Sequence, residues 1–594
     1  MKTLMTGNEA IARGAWEAGV HFAAAYPGTP STEIMENTAL YKDDIVAEWA
    51  PNEKVALESA IGAAFAGARS FASMKHVGVN VATDPLFTVS YAGVNGGLVI
   101  ISADEPGFHS SQNEQDNRNY AKFAKIPMLE PSDSQESKDM MKLAFQLSED
   151  YNTPVLIRLT TRICHSKSIV EPVEREEVKI KYYKKDLSRY PVPAKVGKMR
   201  EKVEERLNQL KEYSNHTEWN FIELNKTKVG VIASGICYQY AKEVFGDSVA
   251  YLKLGFTNPL PDEKIKEFFS YVDKVYVIEE NDPYIEDFVK LLGFDCYGKN
   301  LFPYTGEMTP DVIRKSVFGS TLDITDYDET KVVPRSPSLC AGCPHRGFFL
   351  ELKKKKNVVV SGDIGCYGLG HAEPYNVGDW CICMGASMSM GHGAQKVFDM
   401  KGNGKRVVSI LGDSTFFHSG MNSLLDVIYN GSKTINVILD NRITGMTGHQ
   451  ENPGTGYTLQ GKPTKEVDIE KLVRAIGFEN VKVINPNDLL AVRNALNWAL
   501  SLDEPSVIIT RWPCVLKKMS EQDKEEFVNA YQTKCEVDPE ECIGCKVCLQ
   551  TGCPALLFDK EDDIVKIDAN TCVGCEVCLQ VCSSRAIRKV GALE

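Results

Sequence analysis

Short apolar runs rich in β-branched residues alternate along this chain with stretches whose apolar residues recur every third or fourth position. That alternation predicts an α/β fold. Arg406-Val407-Val408-Ser409-Ile410-Leu411 is one such run and ends in Gly412-Asp413-Ser414. A second, Ile435-Asn436-Val437-Ile438-Leu439, ends in Asp440-Asn441, and Met421 to Tyr429 between them has helical spacing. This strand–turn–helix–strand unit sets polar residues at the carboxyl ends of both strands, the edge where parallel α/β sheets collect ligands. Val229 to Gly235 and Lys274 to Glu280 read as further strands. The uncharged stretch Pro85 to Ala103 carries Ser90, Gly93, Asn95, Gly96 and Gly97, so it reads as buried sheet and turns, not a membrane span. Glu171 to Asn220 is charged and reads as a solvated connector with one amphipathic helix. Glu521 to Tyr531 reads as a polar helix.

Composition changes the picture in two places. The 594 residues suggest about four domains. Lys+Arg 67 against Asp+Glu 80 gives a net charge of −13, which argues against a general nucleic-acid binder. The first residues hold no apolar signal segment, so a cytoplasmic location is expected. Of 18 cysteines, eight fall between Cys542 and Cys582. Packed thiols in a long chain without a secretion signal point to metal rather than to disulfides.

Cys542-Ile543-Gly544-Cys545-Lys546-Val547-Cys548, then Cys553-Pro554, is repeated 30 residues on as Cys572-Val573-Gly574-Cys575-Glu576-Val577-Cys578, then Cys582. Three closely spaced thiolates converge on one centre, and the fourth of each run reaches the other. Cys542, Cys545, Cys548 and Cys582 are therefore assigned to one [4Fe–4S] cluster, and Cys553, Cys572, Cys575 and Cys578 to a second. The segment resembles the bacterial two-cluster ferredoxins, with a longer gap before Cys553 and Ser583 where Pro is usual. Eight thiols at doubled spacing fit zinc poorly.

Asp413 and Asn441 offer two oxygens to Mg2+, with a backbone carbonyl near Ile443 as a third. Gly412-Asp413-Ser414, then residues 415–439, then Asp440-Asn441 resembles the thiamine-diphosphate motif, with Ser414 and Asp440 as departures that leave the ligands intact. Gly362 to Cys366 and Met384-Gly385-Ala386-Ser387 supply turns whose amides could cradle phosphate. Thiamine enzymes need a carboxylate against the aminopyrimidine ring, at the start of a packed helix. The Ala/Gly-rich run Asn52 to Ala68 offers Glu53 at its entry, with Glu58 as the rival. Tyr26-Pro27-Gly28-Thr29-Pro30 ends a strand, and Thr29 with the following amides could bind a small carboxylate.

Taken together, the Tyr26–Pro30 turn, the Glu53 helix, the Asp413/Asn441 pair and the cysteine repeat are similar to the thiamine-diphosphate-dependent 2-oxoacid:ferredoxin oxidoreductases. Cys340-Ala341-Gly342-Cys343-Pro344-His345-Arg346, Gly362-Asp363-Ile364-Gly365-Cys366-Tyr367 and Ser110 to Asp116 make the indolepyruvate-type α-subunit family the nearest resemblance. The resemblance implies an α/β multidomain chain. Its parts are a pyrimidine-binding domain (1–180), a connector (181–227), a transketolase C-terminal-like domain (228–330), a diphosphate-binding domain (335–520) and a small α+β ferredoxin domain (535–594). It implies oxidative decarboxylation of aryl pyruvates with CoA as acceptor and ferredoxin as electron partner. It also implies a small β subunit in a heterotetramer of two α and two β. A third, proximal [4Fe–4S] cluster on Cys340, Cys343, Cys366 and Cys514 is implied by the family; the residues alone are also consistent with buried thiols. Cys381 and Cys383 read as core, and His345, His371, His418 and His449 as polar neighbours of the cofactor. Another 2-oxoacid as substrate, or an electron-transfer subunit with a vestigial thiamine site, remain open at this level.

Overall fold

A computed structural model describes residues 2–322, 328–333, 336–402, 404–528 and 530–590. The chain forms two compact units, 1–328 and 329–594.

The first unit is built on a seven-stranded sheet. Its order is Phe256–Asn258, Met128–Leu129, Val155–Thr160, Leu98–Asp104, Ser70–Lys75, Phe22–Ala25 and Val46–Trp49. All neighbours are parallel except the first pair. Leu98 to Asp104 is buried along its whole length, the mark of a strand covered on both faces. A second sheet orders Lys274–Ile278, Val229–Ser234, Ala250–Leu254 and Asn220–Glu223. The chain leaves this sheet at Leu254 and enters the first at Phe256, so segments 1–180 and 228–330 share a sheet within one unit. The connector carries the helix Pro193–His216, which buries Met199, Val203 and Leu210.

One local expectation is corrected. Residues 85–103 are not all sheet and turn: Thr83–Ala92 is a helix that buries Leu86 and Val89 and ends at Gly93, φ 69°. Only Leu98 onward is strand, because the apolar spacing before Gly93 has the helical period.

The second unit carries a five-stranded parallel sheet, ordered Val358–Ser361, Arg406–Gly412, Ile435–Asp440, Ser506–Arg511, Val481–Ile484. Val408, Ile410, Val437, Ile438, Ile508 and Ile509 form its core. The predicted helix at Glu521 spans only Glu521–Glu526, because the capping box on Ser520 and Asp523 starts it and buried Phe527 leaves it. Two antiparallel pairs, Cys535–Val537 with Ile587–Lys589 and Leu556–Asp559 with Ile564–Ile567, frame the cysteine repeat. Among the described residues no helix is long and apolar enough to cross a membrane.

Candidate active site

In the first unit Glu53 is the first residue of the helix Glu53–Phe65, whose N-cap Asn52 accepts from Val55 N. Glu53 is 6% exposed. Glu58 sits on the exposed face paired with Lys54, so burial separates two residues that periodicity could not. A Cβ on Gly78 would lie 2.7 Å from Glu53 Cγ and 2.8 Å from Oε1; glycine there is what admits the carboxylate. Gly78→Ala is therefore expected to cost activity as Glu53→Gln does, by about a hundredfold or more if the carboxylate moves protons. Turnover measured alongside unchanged circular dichroism checks this.

Thr29 is half-buried in a turn closed by Ser31, whose N–H and hydroxyl both donate to Gly28 O at 2.9 and 2.8 Å. Gly28 packs on Lys75, a residue the sequence did not single out. Lys75 is half-buried, and the desolvation lowers its pKa; its Nζ meets Glu105 at 3.1 Å and Ser110 O at 3.1 Å. Glu105 in turn accepts from Ser110 N at 2.9 Å, and His76 Nε2 meets Asn113 O at 3.3 Å. The Ser110–Asp116 motif is thus laced to the strand end beside Glu53 and the Thr29 turn.

In the second unit Asp413 follows the strand Arg406–Gly412 and is 3% exposed. Burial first, then the Asp440 carboxylate, pushes its carboxyl up to about 7. Asn452 Nδ2 donates to Asp413 Oδ2 at 3.1 Å. Turned with its nitrogen forward, the Asn441 amide would donate to Ile443 O at 2.7 Å and Asp413 Oδ1 at 3.2 Å. With its oxygen forward, three oxygens converge with no proton between them, an arrangement that a cation would satisfy. Asp440, the residue that departs from the thiamine motif, accepts from Arg511 Nε at 2.9 Å. Ser414 accepts from Thr444 Oγ1 at 2.9 Å. A Cβ on Gly412 would lie 2.8 Å from Tyr367 Cε1, and Tyr367 Oη bonds Ile364 O and Thr415 Oγ1 at 2.6 and 2.9 Å.

The phosphate-cradling expectation for Gly385 and Ser387 is corrected. Their amides already donate to Asp363, Gly385 N to Oδ1 and Ser387 N to Oδ2, both at 2.8 Å. Asp363 is buried, which lifts its carboxyl to about 6. Gly385, φ 85°, instead packs on Ser419. Cys381 and Cys383 are not core: both are exposed, on the irregular segment beyond the Ser361–Trp380 bridge. His345 is buried against Tyr367 and Phe349, which pushes it down to about 4 and keeps it neutral.

The four scattered cysteines lie within electrostatic reach of one another, without three of them closing on a single point. Burial, then the thiols of Cys514 and Cys340, raises Cys366 to about 11. Cys343, raised chiefly by burial, also faces Cys366 and Cys514. A Cβ on Gly445 would lie 3.7 Å from both Cys366 Sγ and Asn441 Nδ2, so this thiol group borders the Asp413 oxygens. Cys514 N donates to Asn441 O at 2.9 Å.

Two cavities lie among the cysteines of the terminal repeat. One cavity is lined by Cys542, Cys545, Cys548 and Cys582, and another by Cys553, Cys572, Cys575 and Cys578 with Ala341, Gly342 and Cys535. Among the described residues no three His, Cys, Asp or Glu side chains close on a single point. Each cavity instead spreads four thiols around a space. The Cys340 loop reaches the second cavity directly, since a Cβ on Gly342 would meet Val573 Cγ2 at 2.1 Å. Arg346, which closes the Cys340–Arg346 motif and had no role assigned from sequence, donates to Cys340 O at 2.8 Å and Thr551 O at 3.1 Å, and also to Gly552 O, Leu339 O and Tyr375 Oη.

Residues 13–230 match the thiamine-diphosphate-binding family model of pyruvate flavodoxin/ferredoxin oxidoreductases, and residues 363–510 match the C-terminal binding domain of thiamine pyrophosphate enzymes. The class is that of thiamine-diphosphate-dependent oxidoreductases. The chain is 40% identical to the indolepyruvate oxidoreductase subunit IorA of Archaeoglobus fulgidus, over 99% of this chain and 97% of that one. It is 39% identical to that of Pyrococcus horikoshii over the same shares. The chain belongs to the IorA family of indolepyruvate oxidoreductase subunits. The solved 2-oxoglutarate:ferredoxin oxidoreductase from Magnetococcus marinus aligns over 54% of this chain and 65% of that one, with 19% identity and a TM-score of 0.45.

Proposed function

We propose that this chain is the catalytic subunit for oxidative decarboxylation of aryl pyruvates, indolepyruvate among them, to aryl-acetyl-CoA and carbon dioxide. Its electrons pass to ferredoxin, and it works with a small β subunit as a cytoplasmic α2β2 assembly. Thiamine diphosphate would supply a nucleophilic carbon and an electron sink for decarboxylation, and iron–sulfur clusters would take the electrons one at a time. Asp413, Asn441 and Ile443 O hold Mg2+, with Gly412 and Ser414 shaping the turn around it. Glu53 holds a proton against the aminopyrimidine. Thr29 and Lys75 receive the substrate carboxylate. Cys340, Cys343, Cys366 and Cys514 hold the proximal cluster, and the two terminal sets hold the relay outward.

The observation that carries this reading is the gathering of four cysteines, far apart in sequence, beside the Asp413–Asn441–Ile443 oxygens. A thiamine site alone needs no such thiols, and a ferredoxin alone needs no such oxygens. Iron and acid-labile sulfide quantitation on the purified protein tests it. About twelve iron atoms per chain are expected from three cubanes. About eight would leave the proximal thiols without a cluster and remove the reading. The relatives' names favour an aryl pyruvate as substrate; turnover across pyruvate, branched-chain and aryl 2-oxoacids tests that part separately.

A further inference from the structure

Because the terminal repeat has an offset of 30 residues, each position in one half has a counterpart in the other. Seven residues before the first cysteine of each run stand Cys535 and Val565. Each crosses to the other run's cavity: Val565 lines that of Cys542, Cys545, Cys548 and Cys582, and Cys535 that of Cys553, Cys572, Cys575 and Cys578. Cys535 is 3% exposed and fixed on a strand against Ile587–Lys589. Its backbone N–H donates to Cys572 Sγ at 3.5 Å, and it lines the same cavity as Cys572 and Cys578. The Val565 side chain carries no donor.

Four thiolates complete a cubane, so a fifth sulfur is free to act as a donor. Hydrogen bonds to cluster sulfurs favour the reduced, more negative state, and such bonds are among the controls on cluster potential. We propose that Cys535 is a positioning residue. Its S–H, in the cavity it shares with Cys572 and Cys578, sets the inner terminal cluster at a higher reduction potential than its repeat partner. The inner cavity is the one that borders Ala341 and Gly342 of the proximal loop. A higher potential there makes the first step away from the proximal thiols downhill. The inference rests on the reading that the repeat holds two iron–sulfur clusters.

The cavities also differ at Lys546 and Glu576, so the test changes one position at a time. Reduction of the purified full-length protein is followed by electron paramagnetic resonance against potential. In Cys535→Val, iron content is expected to stay and one cluster's midpoint to fall while the others hold. In Val565→Cys the other terminal cluster's midpoint is expected to rise. Cys535→Ser, which keeps a donor, should stay nearer wild type than Cys535→Val does. Unmoved midpoints in Cys535→Val and Val565→Cys would overturn the proposal. If Cys535→Val loses a cluster, the Val565→Cys midpoint decides, and no rise there overturns it. A wild-type chain without iron would sink the cluster reading first, and the proposal with it.

Discussion

Asp413→Asn is expected to lower 2-oxoacid oxidation by more than about a hundredfold, exceeding the roughly 10–100-fold that outer partners of a metal cost. The iron–sulfur absorption should not change. Asp413 is the only carboxylate among the three converging oxygens, and an amide cannot replace its charge. The wild-type chain should show the same dependence through pH. Burial and the Asp440 carboxylate push its carboxyl up to about 7, so as pH falls it takes up a proton that Mg2+ must displace. Binding of Mg2+ with thiamine diphosphate, read by calorimetry, should weaken about tenfold per unit as pH falls below 7 and level off above it. The sign of the stability effect is opposite. A carboxyl whose folded pKa is raised penalises the ligand-free fold once pH passes its ordinary value, and the penalty is complete above about 7. Ligand-free Asp413→Asn should therefore melt higher than wild type at pH 8. Full activity in this variant, or lower stability without ligand, would remove Asp413 from the metal site.

Arg346→Met should destabilise the second unit by about 3–5 kcal/mol, since each buried acceptor left unpaired costs about 1–3 kcal/mol. Arg346 is 2% exposed and donates to carbonyls of Leu339, Cys340, Thr551 and Gly552. Tyr375 Oη covers Thr551 O at 2.5 Å, which limits the loss to part of the sum. The same guanidinium fixes the Cys340 loop against the turn before Cys553. Iron should therefore fall from about twelve to about eight atoms per chain as the proximal set loses its shape. Arg346→Lys should rescue little, because one ammonium cannot reach acceptors arranged for a planar fork. Thermal melting and iron content of the same samples check both halves. A variant that melts like wild type with its iron intact would show that Arg346 organises nothing.

Features set by short spacing are readable from the residues alone. The two cysteine runs are legible as a repeat, because three thiols within seven residues recur at an offset of 30. The strands ending at Gly412 and Asp440 were legible because a β-branched run closed by polar residues has few other folds. Glu53 and Glu58 were both visible at a helix start, but only packing showed which one is buried. The rest depended on which distant group arrives at a given atom. The Gly385 and Ser387 amides look free in sequence and are taken by Asp363. Cys381 and Cys383 look apolar and lie exposed. Cys340, Cys343, Cys366 and Cys514 are far apart along the chain, and the fold that packs the Gly362 turn, the Cys340 loop and the segment after Arg511 around Asn441 brings them together. Hydrogen-bond partners and thiol neighbours are long-range properties of a packed interior, so no local pattern could have settled them.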